Sequence, residues 1–115
     1  MAIQKWSDDI TVVELADDPL FTDELTSLGE RLDAEPTHVV LNFGAVGFIN
    51  SSNVAQLLRL RKPVTALEKN MILCDVNTQV WGVFLVTGLD KIFEFTNDVS
   101  KALMMMQLGE ANEED

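Results

Sequence analysis

A chain of 115 residues, 47% of them hydrophobic, can form one compact domain but is too short for two. Its 19 acidic and 8 basic residues give a net charge of −11, which opposes a nucleic acid or an anionic membrane surface as a partner. The single cysteine, Cys74, excludes an intrachain disulfide and a multi-cysteine metal site, and is expected to be a small buried side chain.

The first third of the chain predicts a hairpin followed by a helix. Apolar and β-branched residues flank the polar turn at 7–9, which is typical of two short strands. Further on, Leu25, Leu28 and Leu32 recur at the spacing of one helix face. The predicted elements are a strand at 3–6, a strand at 10–15, a loop at 17–19 and a helix from 22 or 23 to about 34.

The remainder alternates between apolar runs and helical patterns. Residues 38–43 form a nearly continuous apolar run, typical of a strand buried on both faces. Pro63 lies late in the following helix and either ends it near Lys62 or kinks it. The further predicted elements are a loop at 44–50, a helix from about 52, a strand at 71–76, a helix at 78–86 closed by Thr87 and Gly88, a strand at 91–95, and a helix capped by Asp98 that ends near 108.

This order of elements, β-β-α-β-α-β-α-β-α, indicates an α/β fold. Strands that alternate with helices form a parallel sheet with right-handed crossovers, and the opening hairpin adds an antiparallel strand at one edge. We therefore expect one domain at 1–108, with a mostly parallel sheet of four to five strands and about four helices. Residues 109–115, in which four of the last six are acidic, are expected to form a mobile, solvated tail.

Little in the sequence indicates catalysis. His38 is the only histidine and lies at the start of a strand, so neither a histidine pair for a metal nor a base for a nucleophilic serine is expected. The paired carboxylates at 8–9 and 17–18 belong to polar turns, where the pKa differences that acid–base catalysis needs are rare. The glycines at 44 and 47 lack the lysine and spacing of a phosphate-binding loop. We expect no catalytic residue, no cofactor and no metal.

The segment 50–53, Asn-Ser-Ser-Asn, lies where a loop leads from a buried strand into a helix. Ser or Asn is the preferred N-cap there, because its oxygen accepts a hydrogen bond from an unpaired helix N–H. Four small polar residues after Phe48 and Ile49 exceed what one cap requires. Such a loop opens at the carboxyl end of a parallel strand, where binding sites tend to lie, and the first helical turn stabilises negative charge. The segment therefore suits a phosphorylated serine as well as a cap.

Several stretches of the chain carry a resemblance to a known family. They are 39–43 (Val-Val-Leu-Asn-Phe), 48–54 (Phe-Ile-Asn-Ser-Ser-Asn-Val), Leu57 with Leu58, and 71–77 followed by Val80, Phe84, 87–89 (Thr-Gly-Leu) and 91–93 (Lys-Ile-Phe). With the length and the order of elements, they resemble the STAS domain of bacterial anti-sigma factor antagonists over roughly residues 5–108. In that family, the strand–loop–helix junction has the form Asp-Ser-Ser/Thr-Gly.

The resemblance implies a protein-binding regulator of transcription. The unphosphorylated antagonist binds an anti-sigma factor and frees the sigma factor. The anti-sigma factor is an ATP-binding serine kinase that phosphorylates the junction serine and so breaks the complex, and a serine phosphatase restores the antagonist. These two enzymes are the partners that the resemblance implies.

Matched to the family's junction, Ser51 falls on the phosphorylated serine and Ser52, the runner-up, on the next hydroxyl residue. Asn50 replaces the aspartate and Asn53 replaces the glycine. The loop at 17–19 replaces the family's glycine–acid–x–acid pattern and keeps one acidic contact, at Asp18. The predicted partner-binding residues are Asp18, Phe48, Asn50, Ser51, Ser52 and Asn53.

Two hypotheses from different classes remain open beside the phosphorylation-switched antagonist. The changed Asn50 and Asn53 suggest a STAS scaffold or adaptor that is not phosphorylated, as a subunit of a signalling assembly or a transport system. A small hydrolase at the same loop would lack a base and a metal set. No signal-peptide pattern and no apolar run of about 20 residues occurs, so we expect a cytoplasmic protein without direct membrane insertion.

Overall fold

The computed structural model of the chain describes residues 2–113, and it confirms the predicted α/β fold. Five strands form one sheet in the order β1-β2-β3-β4-β5, in which β1 is antiparallel to β2 and the other neighbours are parallel. The elements are β1 (Ile3–Lys5), β2 (Ile10–Ala16), α1 (Leu20–Ala34), β3 (His38–Ala45), α2 (Ser51–Ala66), β4 (Met71–Cys74), α3 (Thr78–Val86), β5 (Glu94–Thr96) and α4 (Val99–Glu113).

Helices cover both faces of the sheet. One core cluster packs α1, α2 and α3 against side chains such as Leu41 and Phe43, and a second packs α4 against Val40 and Ile72. Because successive side chains of a strand point to opposite faces, adjacent residues of β3 enter different clusters. Burial on both faces is why 38–43 is apolar almost without interruption.

Helix α1 begins at Leu20, two or three residues before its predicted start. Pro19 precedes it, and the Asp18 carboxylate accepts a hydrogen bond of 3.0 Å from the Thr22 backbone N–H. That bond satisfies one of the N–H groups that the first turn of a helix leaves unpaired. The loop predicted at 17–19 is therefore also the cap of α1.

Helix α2 continues through Pro63 to Ala66, so the alternative that it ends near Lys62 is wrong. Proline has a helical φ angle, but it lacks an N–H and its ring crowds the carbonyl four residues earlier. Pro63 is exposed and lies in the last turn of this helix. The N–H of Leu67 still donates to the Pro63 carbonyl, at 3.2 Å, which closes the last turn.

The elements after α2 occur in the predicted order, but the ends of the two strands differ from the predicted bounds. Helix α3 has its predicted bounds, and Gly88 closes it with a φ of 75°, a left-handed conformation that glycine adopts without strain. A 3₁₀ turn at Leu89–Lys91 follows, and this turn displaces the strand predicted at 91–95 to Glu94–Thr96. Strand β4 ends at Cys74, two residues before its predicted end.

Helix α4 has its predicted cap, because the Asp98 carboxylate accepts a hydrogen bond of 2.8 Å from the Lys101 N–H. The helix extends to Glu113, so the backbone of 109–113, predicted as part of the tail, is helical. Residues 114 and 115 of that predicted tail lie outside the described residues. The mobility of the tail stays a prediction.

Candidate functional site

The loop from 46 to 50 follows the carboxyl end of β3 and is held from both sides. On one side, Asp17 at the end of β2 accepts a hydrogen bond of 2.8 Å from the Gly47 N–H through its Oδ1. A Cβ at Gly47 would lie 3.3 Å from the other oxygen of that carboxylate, so glycine permits the close approach. On the other side, the Asn77 Nδ2 donates to the carbonyls of Val46 and Gly47, at 3.0 and 3.2 Å.

Two asparagines close the first turn of α2. Asn50 is the N-cap, and its Oδ1 accepts a hydrogen bond of 2.8 Å from the Asn53 N–H. The Asn53 Oδ1 in turn accepts one of 3.1 Å from the Asn50 N–H. This arrangement is a capping box, with asparagine in both positions. The two serines between them are therefore not needed as caps.

A ring of four polar side chains ties the start of α1 to the start of α2. Asn53 Nδ2 donates to Asp18 Oδ2 at 2.9 Å, and Thr22 Oγ1 donates to Asp18 Oδ1 at 2.7 Å. Gln56 closes the ring, because its Nε2 donates to Thr22 Oγ1 at 3.0 Å and its Oε1 accepts from Asn53 at 3.4 Å. Hydrogen bonds from Asn53 and then from Thr22 hold the pKa of the Asp18 carboxyl below its ordinary value of 3.8.

The structure brings all six predicted site residues to this junction, with different exposures. Ser51 and Ser52 are exposed, and within residues 2–113 neither hydroxyl makes a hydrogen bond. Asn50 is exposed beside them, and Phe48 leaves 62% of its surface in solvent. Asn53 is only 3% exposed, and the partner contact predicted for it stays a prediction. Its amide Nδ2 is engaged with the Asp18 carboxylate.

The two other candidates for reactivity lie elsewhere in the fold. His38 is 7% exposed at the opposite end of β3, where its Nδ1 accepts a hydrogen bond of 2.9 Å from the Asn70 N–H. Cys74 is fully buried as predicted, and burial raises the pKa of its thiol to about 12. Among residues 2–113, no three His, Cys, Asp or Glu side chains are grouped so that they could hold a metal ion. In the same range, no helix has both the length and the apolar character that crossing a bilayer needs.

The residues that support the junction were not predicted from the sequence. Asp17 and Asn77 each lie about thirty residues along the chain from the loop that they hold. Thr22 and Gln56, which bond to each other in the ring, are 34 residues apart. The capping role of Asn77 could have been predicted, since it directly precedes a predicted helix. In the structure its Oδ1 accepts a hydrogen bond from the Val80 N–H and so caps α3. The Asn77 amide also bonds to the 46–50 loop, and no pattern in the sequence around Asn77 predicts this contact.

The chain is similar to known proteins both in its sequence and in its fold. The sequence profile of the STAS domain matches residues 3–102 of the chain. BtrV, a candidate anti-sigma factor antagonist of Bordetella bronchiseptica, is 27% identical over 70 residues, which are 61% of this chain and 60% of BtrV. The chain thus matches less than two thirds of that relative's length.

Solved structures share the fold at low identity. A candidate anti-sigma factor antagonist from Thermotoga maritima has a TM-score of 0.81 and 16% identity, over 91% of this chain and 92% of its own. The anti-sigma factor antagonist SpoIIAA in its unphosphorylated form has a TM-score of 0.78 and 16% identity, over 93% and 95%. The Bacillus cell fate determinant SpoIIAA in its phosphorylated form has a TM-score of 0.69 and 18% identity, over 88% and 94%.

Proposed function

The chain belongs to the STAS domain family, and from this membership we propose that it is an anti-sigma factor antagonist that binds an anti-sigma factor serine kinase. Phosphorylation of Ser51 by that kinase switches the binding off, and a serine phosphatase restores it. Three similar proteins are described as anti-sigma factor antagonists, and one of them, SpoIIAA, has been solved in a phosphorylated form. The protein acts in the cytoplasm by binding and not by catalysis.

The observation that carries the proposal is the state of the Ser51 hydroxyl. Ser51 is the first residue of α2, and the N-cap position before it is filled by Asn50, so the Ser51 hydroxyl does not cap the helix. The hydroxyl is exposed and has no hydrogen bond among residues 2–113, so an approaching active site need not break one. Ser52 shares the exposure and remains the runner-up.

The chemistry requires ATP bound by the partner. The Ser51 Oγ attacks the γ-phosphorus of ATP, the bond from that phosphorus to the bridging oxygen breaks, ADP leaves, and the hydroxyl proton passes to a base of the kinase. The product at Ser51 carries about −1.5 to −2 charges at neutral pH. At the N-terminus of α2, the helix dipole and free N–H groups stabilise such a charge by about 0.3–1 kcal/mol. In the phosphatase reaction water attacks the phosphorus, the bond to the Ser51 Oγ breaks, inorganic phosphate leaves, and the hydroxyl is restored.

The same charge would oppose the complex. Phe48 and the serines present an exposed, uncharged surface around the loop, and a phosphate placed there must be desolvated by any partner that covers it. Asp17 and Asp18 flank the loop and add like charge. A partner suited to the neutral surface therefore loses affinity once Ser51 is phosphorylated.

The test is phosphorylation in vitro with the anti-sigma factor serine kinase of the source organism and ATP, with the phosphate located by mass spectrometry. We expect one phosphate at Ser51 in the wild type and in Ser52→Ala, and none in Ser51→Ala. Ser52→Ala is the matched control, since both serines are exposed neighbours on one turn. A wild type that binds the kinase but accepts no phosphate at either serine would refute the switch and leave the binding.

One observation favours the non-phosphorylated scaffold or adaptor as the second candidate. Both asparagines of the junction are engaged in the capping box, and Asn50 offers the kinase no charge. In that case Ser51→Ala and Ser51→Asp leave partner binding unchanged. The switched antagonist instead predicts that Ser51→Asp weakens the complex while Ser51→Ala keeps it intact in the presence of ATP.

A further inference from the structure

The charges of the chain are unevenly distributed. The 32 residues from 36 to 67 contain three basic residues and no acidic one, although the whole chain has 19 acidic residues. The three basic residues, Arg59, Arg61 and Lys62, all lie on α2. Among residues 2–113 the one ion pair is Lys5–Glu35, so none of the three is paired with a carboxylate. Helix α2 is therefore a cationic element in an acidic protein.

The outward side of α2 is continuous with the proposed phosphorylation site. Ser51, Ala55, Leu58 and Lys62 recur at the spacing of one helix face, and Lys62 lies about 16 Å along the helix axis from Ser51. Leu58 leaves 38% of its surface in solvent, and Phe48 precedes the same end of the helix with 62% exposed. We call these five residues the α2 face.

Two features of the α2 face and its flanks are typical of a protein-binding surface. Interface centres are enriched in aromatic side chains and arginine and depleted in acidic residues, and this face has the exposed Phe48, two flanking arginines and no acidic residue. The small Ala55 between Ser51 and Leu58 leaves room for close approach of a partner. Arg59 and Arg61 flank Lys62 on either side of the face, so acidic groups of a partner would meet positive charge at the half of the face that is farther from Ser51.

We infer that the α2 face is the surface on which the anti-sigma factor docks, and that the docking region of this partner combines an apolar pocket for Phe48 with acidic residues that face Lys62 and its flanking arginines. The inference rests on the proposed function and deepens it by assigning the chemistry of the partner. Nucleic acid is opposed by the net charge of −11. A phosphate at Ser51 would place like charge against the same acidic partner surface.

Binding kinetics of purified kinase with matched variants test the inference. Phe48→Ala is paired with Met104→Ala, whose side chain is 58% exposed on α4, and Lys62→Glu is paired with Lys101→Glu, an equal charge change on α4 across the sheet. We expect Phe48→Ala to raise the Kd for the kinase at least about tenfold. Lys62→Glu should slow association about three- to tenfold at about 50 mM salt and much less at about 0.5 M. Both α4 controls should bind like the wild type.

The outcomes separate the inference from the proposed function. A wild type that binds the kinase, with Phe48→Ala and Lys62→Glu no weaker than their controls, would overturn the docking surface alone. A wild type that does not bind the kinase at all would overturn both. Self-association that Phe48→Ala abolishes, measured by sedimentation, would assign the α2 face to a second copy of the chain and contradict the inference. Circular dichroism verifies that the four variants fold, as expected for exposed positions.

Discussion

Removal of either asparagine of the capping box should destabilise the whole domain, and the two losses should not add. Asn50→Ala removes the oxygen that accepts the Asn53 N–H at 2.8 Å. Asn53→Ala removes the oxygen that accepts the Asn50 N–H at 3.1 Å, together with a side chain that is 3% exposed. Each substitution thus leaves a backbone donor of the α2 N-terminus without its partner.

The expected magnitudes follow from these contacts. Loss of an N-cap side chain destabilises a protein by about 1 kcal/mol, which for a domain of this size lowers the Tm by about 4 °C. Asn53→Ala also removes a buried amide, so we expect about 2 kcal/mol. In the double variant, the first substitution has already disrupted the capping box, so the second has less stabilisation left to remove. The coupling in a double-mutant cycle should therefore be at least about 0.5 kcal/mol.

Urea denaturation followed by circular dichroism measures all four free energies of unfolding. Ser52→Ala is the control, because this exposed serine makes no hydrogen bond within residues 2–113 and should change stability by less than about 0.5 kcal/mol. Strict additivity of Asn50→Ala and Asn53→Ala, or an Asn50→Ala variant as stable as Ser52→Ala, would show that the reciprocal box does not stabilise α2.

Three further predictions concern the ring and the core. The Asp18 carboxyl should titrate below 3.8 by NMR and move upward in Asn53→Ala, since the Asn53 amide is the main cause of its lowered pKa. Because the folded-state pKa is lowered, the stabilisation due to Asp18 is present above pH 3.8 and is lost as the pH falls through the folded-state value. Cys74, buried with a thiol pKa of about 12, should react with a thiol reagent only upon unfolding, and rapid labelling of the native protein would contradict its burial. Leu57→Ala, at a fully buried position of α2, should cost about 2–5 kcal/mol by urea denaturation, and a loss below about 1 kcal/mol would refute its place in the core.

The fold could be predicted wherever local chemistry determines an element. Helix α3 has its predicted bounds because both of its ends are determined locally, by the Asn77 cap at its start and by the left-handed Gly88 after its end. The last strand was displaced because a 3₁₀ turn and a strand are both compatible with a short apolar sequence at 89–95. Pro63 was ambiguous because an exposed helical site tolerates it, and exposure depends on the tertiary fold.

The site was predictable in its location but not in its internal contacts. The serines and asparagines at 50–53 mark the junction in the sequence, and the strand–loop–helix order places them at the edge of the sheet. The bond from Asn53 to Asp18 joins side chains that lie 35 residues apart in the chain. The anchoring of Gly47 by Asp17 likewise joins two loops that only the parallel pairing of β2 and β3 brings together.

The affinity of the chain for its anti-sigma factor kinase, measured before and after phosphorylation, tests the central claim most directly. Titration calorimetry with the purified kinase would use the unphosphorylated protein, the same protein carrying one phosphate at Ser51, and Ser51→Ala treated with kinase and ATP. We predict that the phosphate raises the Kd at least about tenfold, because it places charge in a surface suited to a neutral serine, and that Ser51→Ala binds like the unphosphorylated protein. Equal affinity of the phosphorylated and unphosphorylated proteins would contradict the account.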